Sequence, residues 1–267
     1  MKAFEFCTSL NQEYYRGDKM LRDGERLDEL NLKDLVIIQH KDKFKFGMDA
    51  VLLANFVTAK KGDKIVDLGC GSGIIPILIA AKTQDTFIYG VEIQEDMADM
   101  ATRSVVINKM EERIKIIKGD VRGLEKILGY EKFDIVTSNP PYMPVKTGFD
   151  KKQKSENIAR YEIYGGLEEF IKAASKLLKF GGKFFMIHRT ERLVDILYFL
   201  RKYNLEPKKL RFVHPYVDSK PNLLLIESKK GSQPGLNILA PLYVYEKSGE
   251  YTKEIIEIYS KMQLEEE

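Results

Sequence analysis

Asn139-Pro140-Pro141-Tyr142 is the segment of this chain best suited to chemistry. The nitrogen of a planar aniline-like or amide group attacks poorly, because its lone pair is delocalised into a π-system. Two acceptors aimed at its N–H bonds favour the pyramidal nitrogen of a transition state. The Asn139 side-chain oxygen and the Pro140 carbonyl are such a pair. Pro140 and Pro141 fix φ and stiffen the loop. The acceptors are then aimed before reaction begins, which is electrostatic preorganisation. Tyr142 offers a flat face for an extruded base to stack on. No strong base is required, since the proton leaves after the new bond has formed. The plainer reading of the tetrad is a rigid turn.

A second set of residues sits at the ends of apolar runs. Ile65, Val66 and Leu68 read as a short buried strand around Asp67. Gly69, Gly71 and Gly73 read as a turn that tolerates positive φ and lets a ligand approach the backbone. The apolar stretch from Ile74 reads as a helix, with Pro76 in its first turn. The next run, Phe87 to Val91, ends in Glu92, placed to accept from both hydroxyls of a ribose. The run Ile114 to Ile117 leads to Asp120, which either reaches an adenine amine or caps its own loop. The run Phe133 to Val136 leads to Asn139. Asp67, Glu92, Asp120 and Asn139 thus lie at the carboxyl ends of four strands, where open parallel sheets bind ligands.

The rest of the chain must position these residues. Leu35 to Gln39 reads as a strand and Phe44 to Phe46 as its return, a hairpin across His40-Lys-Asp-Lys. Asp49 reads as the N-cap of a mostly buried helix starting at Ala50. Strands and helices then alternate, with helices near 74–82, 95–109, 167–178 and 191–203. Gly181-Gly182 reads as the stop of the third of these. The last two strands, 209–213 and 222–227, have no helix between them and are expected to pair antiparallel. The expected fold is α/β: a seven-stranded, mostly parallel sheet with a reversed last strand and helices on both faces. Residues 1–30 read as an arm, 31–255 as the main domain and 256–267 as a tail.

Composition excludes several classes. Charged residues make up 31% and hydrophobic ones 44%, which argues against disorder, and no apolar run approaches membrane-spanning length. Net charge is +3, from 43 basic and 40 acidic residues, which leaves a nucleic-acid partner to be decided by local patches. Two cysteines, Cys7 and Cys70, make no disulfide framework and fit a reducing cytoplasm. No His, Cys and Asp cluster has metal-ligand spacing, so no metal is expected. Lys146, Lys151, Lys152, Lys154 and Arg160 follow the tetrad and read either as phosphate contacts or as a solvated loop. Lys208, Lys209, Arg211, Lys229 and Lys230 are candidates to extend that face. His188 and His214 read as packing residues.

Two cofactors suit the glycine turn with Glu92, a nicotinamide dinucleotide and S-adenosylmethionine. The reversed last strand and the tetrad favour the second. The chain resembles the class I S-adenosylmethionine-dependent methyltransferases, which are Rossmann-like, in Val66-Asp-Leu-Gly-Cys-Gly-Ser-Gly, Val91-Glu-Ile and Ser138-Asn-Pro-Pro-Tyr. Within them it is similar to the bacterial enzymes that methylate N6 of adenine 37, beside the anticodon of a valine tRNA. That likeness lies in Phe46-Gly-Met-Asp-Ala-Val-Leu-Leu, Gly90-Val-Glu-Ile-Gln-Glu, Leu210-Arg-Phe-Val and Pro221-Asn-Leu-Leu-Leu-Ile-Glu. It implies catalysis by Asn139, Pro140, Pro141 and Tyr142. It implies a cofactor pocket built from Phe46, Asp49, Asp67, Gly69, Gly71, Gly73, Glu92, Ile93, Asp120, Val121 and Asn139. The partner implied is tRNA. Other acceptors with the same nitrogen chemistry are rRNA or DNA bases and a protein glutamine amide. A non-catalytic RNA-binding role is the reading from another class.

Overall fold

The structure, a computed structural model, describes residues 20–30, 34–42, 47–83, 85–142 and 166–261. Its centre is a run of parallel strands: β3 (Lys64–Leu68), β4 (Phe87–Glu92), β5 (Ile114–Lys118), β6 (Phe133–Ser138) and β7 (Leu178–Arg189). Their spatial order is β7-β6-β3-β4-β5, so the chain reverses direction across the sheet at β3 and β6. Two longer strands follow, β8 (Leu205–His214) and β9 (Leu223–Lys230). β9 is antiparallel to both neighbours and lies between β7 and β8. The seven expected strands are all present. Two short strands, β10 (Asn237–Ile238) and β11 (Leu242–Tyr243), pair in parallel with β8 and enlarge the sheet to nine.

Apolar runs in β3, β4 and β6 are buried over most of their length, as a parallel sheet covered by helices requires, while the edge strand β5 is largely uncovered. Ile65, Ile88 and Ile114 face α1 (Met48–Phe56) and α2 (Ile74–Lys82). Residues Ile74 to Ala80 are all buried, so α2 is an interior helix rather than an amphipathic one. Val66, Leu68, Val91 and Val136 face the other way, toward α5 (Leu167–Leu177) and α6 (Leu193–Lys202). Between β5 and β6 the connection holds only a four-residue helix, α4 (Glu125–Leu128).

Three local features differ from expectation. The strand Val36–His40 (β2) pairs with the upstream strand Glu25–Glu29 (β1), inside the stretch read as an arm. Strand β1 reads Glu-Arg-Leu-Asp-Glu, with one apolar residue, so it has no hydrophobic alternation to reveal it. It is held by charge: Arg103 of α3 (Glu95–Ile107) grips Glu25 with both guanidinium nitrogens, at 2.6 and 2.8 Å. Met20, Leu21 and Leu27 pack on Met97, Met100 and Ile107 beside it. The expected return strand at Phe44 to Phe46 lies outside the described residues. Asp49 is not the N-cap of α1: the helix starts at Met48 after Gly47, which puts Asp49 in the first turn. Gly181 and Gly182 do not end α5. β7 begins at Leu178, and the glycines form an irregularity within it, where a Cβ on Gly182 would stand 3.0 Å from the Asp134 and Lys179 carbonyls. A last helix, α7 (Lys253–Lys261), crosses the boundary at residue 256 between main domain and tail. No described helix is long and apolar enough to cross a membrane.

Candidate active site

The three glycines after β3 each have positive φ, at +75°, +55° and +90°. Their surroundings differ. A Cβ on Gly69 would press on Phe170 at 3.3 Å, and one on Gly73 would press on Ala101 of α3 at 3.2 Å. A Cβ on Gly71 would meet only Met97, at 3.8 Å, so Gly71 forms the open side of the cradle. Cys70, between them, is buried over Gly90, and burial pushes its thiol well up. It fills the space between the turn and Gly90.

Glu92 closes the turn from the next strand. Its Oε2 accepts from the Gly71 N–H at 2.9 Å and its Oε1 from the Gln94 N–H at 2.8 Å. The carboxyl is 5% exposed, and burial raises its pKa despite these bonds. The carboxylate also accepts from the Ile93 N–H and from the Gln94 side chain. Ile93 beside it is half-buried. Asp120 has the loop-capping role: its Oδ1 accepts from the Arg122 N–H at 2.8 Å, and the Arg122 side chain forks onto both carboxylate oxygens. An adenine amine at Asp120 competes with that guanidinium. Val121 next to it is buried with Leu124.

Asp67 is fully buried beneath the turn. Its Oδ1 accepts from the Thr137 hydroxyl at 2.6 Å, and its Oδ2 has no hydrogen-bond partner among the described residues. Burial, with the Glu92 charge nearby, pushes its pKa up to about 7. The Ser138 hydroxyl donates to the Leu68 carbonyl at 2.9 Å. Thr137 and Ser138 therefore stitch the end of β6 to the end of β3, holding the tetrad beside the glycine turn. Sequence reading passed over both, since a hydroxyl in a strand looks like any other β-former.

The tetrad and Asp49 form one cluster. The Asn139 Nδ2 donates to Asp49 Oδ2 at 3.1 Å. The Tyr142 hydroxyl lies 2.6 Å from Asp49 Oδ2 and 2.6 Å from Asn139 Oδ1, one proton between two acceptors. Burial and the Asp49 charge push the Tyr142 phenol well above its ordinary value. The Tyr142 ring has His188 at its side, centroids 5.1 Å apart, and the Arg189 guanidinium over it at 5.4 Å. His188 is buried, its Nδ1 accepts from the Arg189 N–H at 2.8 Å, and burial lowers its pKa to about 4. It is neutral and packs under the tetrad. The structure thus brings Asp49 to Asn139 and Tyr142.

Phe46 and the lysines of 146–154, with Arg160, lie outside the described residues. Three of the second basic set are engaged in ion pairs. Lys209 pairs with Glu227 at 2.9 Å, Arg211 with Glu254 at 2.7 Å and Lys230 with Glu131 at 2.9 Å. Among the described residues no group of three His, Cys, Asp or Glu is disposed to hold a metal ion.

Comparison with known proteins bears on this geometry. Residues 40–197 match the family model of the methyltransferase small domain. A tRNA1(Val) (adenine(37)-N6)-methyltransferase of Porphyromonas gingivalis is 29% identical over 206 residues, 75% of this chain and 80% of that protein. The protein of the same name from Haemophilus influenzae is 24% identical over 237 residues, 87% of this chain and 97% of that one. Among solved structures, a predicted O-methyltransferase from Agrobacterium tumefaciens superposes with a TM-score of 0.66 at 24% identity. That match covers 81% of this chain and 97% of the other, and it speaks for the fold.

Proposed function

This chain belongs to the methyltransferase small domain family, and from that premise we propose that it methylates N6 of an adenine in tRNA, at position 37 beside the anticodon of a valine tRNA. It is an enzyme whose cofactor is S-adenosylmethionine. The substrate reading rests on the names of its relatives in Porphyromonas gingivalis and Haemophilus influenzae, together with the tetrad.

The residues suit that cofactor. Gly71 leaves the turn open, and the Glu92 carboxylate beside it is the acceptor for ribose hydroxyls, which would take the place of the Gln94 side chain. A cationic ligand over the turn would pull the raised pKa of the buried Asp67 down and draw off its proton, so that the orphaned Oδ2 meets the cation as part of a carboxylate. When bound, S-adenosylmethionine supplies an electrophilic methyl group on a sulfonium.

The observation that carries the reaction is the bond from Asn139 Nδ2 to Asp49. With Nδ2 committed there, the other end of the amide, Oδ1, is the acceptor left for a substrate. An incoming amine N–H takes over Oδ1 from the Tyr142 hydroxyl, whose proton then belongs to Asp49 alone. Each acceptor then has its own donor. The Pro140 carbonyl receives the second N–H. Both contacts strengthen as the nitrogen becomes pyramidal, which is where stabilisation raises turnover.

The test is transfer of tritiated methyl from the cofactor to separate tRNA, rRNA, DNA and protein fractions. We expect label in tRNA that digests to N6-methyladenosine and is lost when adenine 37 of the valine tRNA is replaced. Label confined to rRNA, DNA or protein would overturn the substrate.

A further inference from the structure

Because α4 has only four residues, one face of the sheet is left uncovered over the amino halves of β3, β4 and β5. Strand alternation decides which side chains stand there. Val66 and Val91 belong to that face, so Lys64, Tyr89 and Phe87 do too, and the register sets Tyr89 against Lys115. The result is an open groove of about 440 Å³, lined by Lys64, Tyr89, Lys115, Ile117 and Lys132 among others. Phe87 is 53% exposed at its rim. Tyr89 is held upright by Phe133, edge to face at 5.5 Å and 88°.

The charge on this face is unbalanced. Lys64, Lys115 and Lys132 make no ion pair among the described residues; the one carboxylate beside Lys64, Asp134, accepts from the Lys64 N–H at 3.0 Å and is itself paired with Lys179 at 2.6 Å. Basic side chains interleaved with aromatic rings on a sheet face suit unpaired nucleic acid. The rings stack bases and the ammonium groups meet phosphates. An apolar partner would leave three lysines desolvated and unpaired. The groove lies about 20 Å from the tetrad, the length of β6 at roughly 3.3 Å per residue. A few nucleotides span that distance.

We infer that this groove is a second RNA site, which holds an unpaired stretch of the substrate while another part of the same molecule enters the tetrad. The inference rests on the reading of the chain as an RNA methyltransferase. It assigns a docking role to residues that take no part in methyl transfer.

Two variants test it in the full chain: Lys64→Gln with Lys115→Gln and Lys132→Gln, and separately Phe87→Ala. All four positions are exposed, so the fold is not at stake. Tritium transfer to tRNA gives KM and kcat, and anisotropy of a labelled oligouridylate gives affinity against salt. For the triple variant we expect KM to rise about tenfold with kcat and cofactor affinity unchanged. Its log–log salt slope falls by about 2, at about 0.7 for each lost phosphate contact. For Phe87→Ala we expect affinity to fall about fivefold with the slope unchanged, the loss of one stacked base. Wild-type KM and slope in the triple variant, with wild-type affinity in Phe87→Ala, would overturn the inference, leaving the face to a partner other than RNA. A wild-type protein that methylates no RNA would overturn the functional reading first, and the docking site with it.

Discussion

Asn139 and Asp49 lie 90 residues apart in sequence and meet through one hydrogen bond, Nδ2 to Oδ2 at 3.1 Å. That bond decides which end of the Asn139 amide faces a substrate. Without Asp49 the amide is free to turn and present N–H groups to an amine that itself donates.

Asp49→Ala should therefore lower kcat about 10- to 100-fold, the range of one preorganised hydrogen-bonding group or somewhat less. Calorimetric affinity for S-adenosylmethionine should stay within about twofold. A variant with normal kcat and weakened cofactor binding would return Asp49 to the cofactor pocket and remove it from the tetrad.

Asn139→Ala removes the acceptor itself. Single-turnover methyl transfer should fall about 10²–10³-fold with little change in cofactor affinity. Asn139→Asp keeps an oxygen of similar shape and should retain part of the rate. It also sets a second carboxylate against Asp49. A folded Ala variant working at the wild-type rate would end the proposed mechanism.

Glu92 has two jobs, and two substitutions probe them. Glu92→Gln keeps one acceptor oxygen but sets an NH2 group against the other backbone N–H, so it should lower the melting temperature, though by less than Glu92→Ala. It should still weaken cofactor binding about tenfold to a hundredfold, the worth of charge-assisted hydrogen bonds. Glu92→Ala should lose both affinity and several degrees of melting temperature. Normal calorimetric affinity in the Gln variant would exclude Glu92 from the ribose site.

Asp67 predicts a pH dependence. Its native pKa, about 7, stands above its ordinary value of 3.8. The folded state thus holds a proton that the unfolded state gives up. That contribution to stability is complete below pH 3.8 and is lost as pH rises through 7. The cofactor-free protein should melt lower at about pH 8 than at about pH 5, and Asp67→Asn should flatten this difference. Each kcal/mol corresponds to about 2–4 °C for a chain of this size. A wild type and variant with parallel melting curves against pH would show that Asp67 is ionised throughout.

Arg103 tests the first hairpin. Its side chain is 12% exposed and that of Glu25 5%, so removing Arg103 leaves a buried carboxylate with the Arg22 N–H as its remaining donor and also ends the pair with Asp99. Arg103→Met should cost about 3 kcal/mol in urea unfolding, as breaking a buried pair does. Arg103→Met with Glu25→Met should recover much of it. A single variant as stable as the wild type would mean that β1 is not fixed to α3 by this pair.

The sheet and the glycine turn were legible because their signals are local. β3, its turn and α2 occupy one continuous stretch, and Glu92 and Asn139 each mark the end of an apolar run. The reversed strand was legible from the missing helix between β8 and β9. Strand β1 was not, since ion pairs rather than apolar alternation hold it. Nor was the meeting of Asp49 with Asn139, or of Thr137 with Asp67, because side-chain contacts across 90 and 70 residues leave no periodic trace. The charges of Lys209, Arg211 and Lys230 look available in one dimension and are neutralised in three.

The place of β9 also bears on how the chain is made. β7 and β8 never touch along their length, because Leu223–Lys230 pairs with both. During synthesis the parallel half of the sheet, with the tetrad and the glycine turn, is complete before β9 leaves the ribosome. β8 has nowhere to dock until then. In that interval Phe184 to Ile187, wholly buried in the finished protein, form an unpaired strand edge, the kind of surface on which nascent chains aggregate. The eight residues of β9 thus end the period in which this chain most needs a chaperone, and translation stalled just short of residue 223 would prolong it.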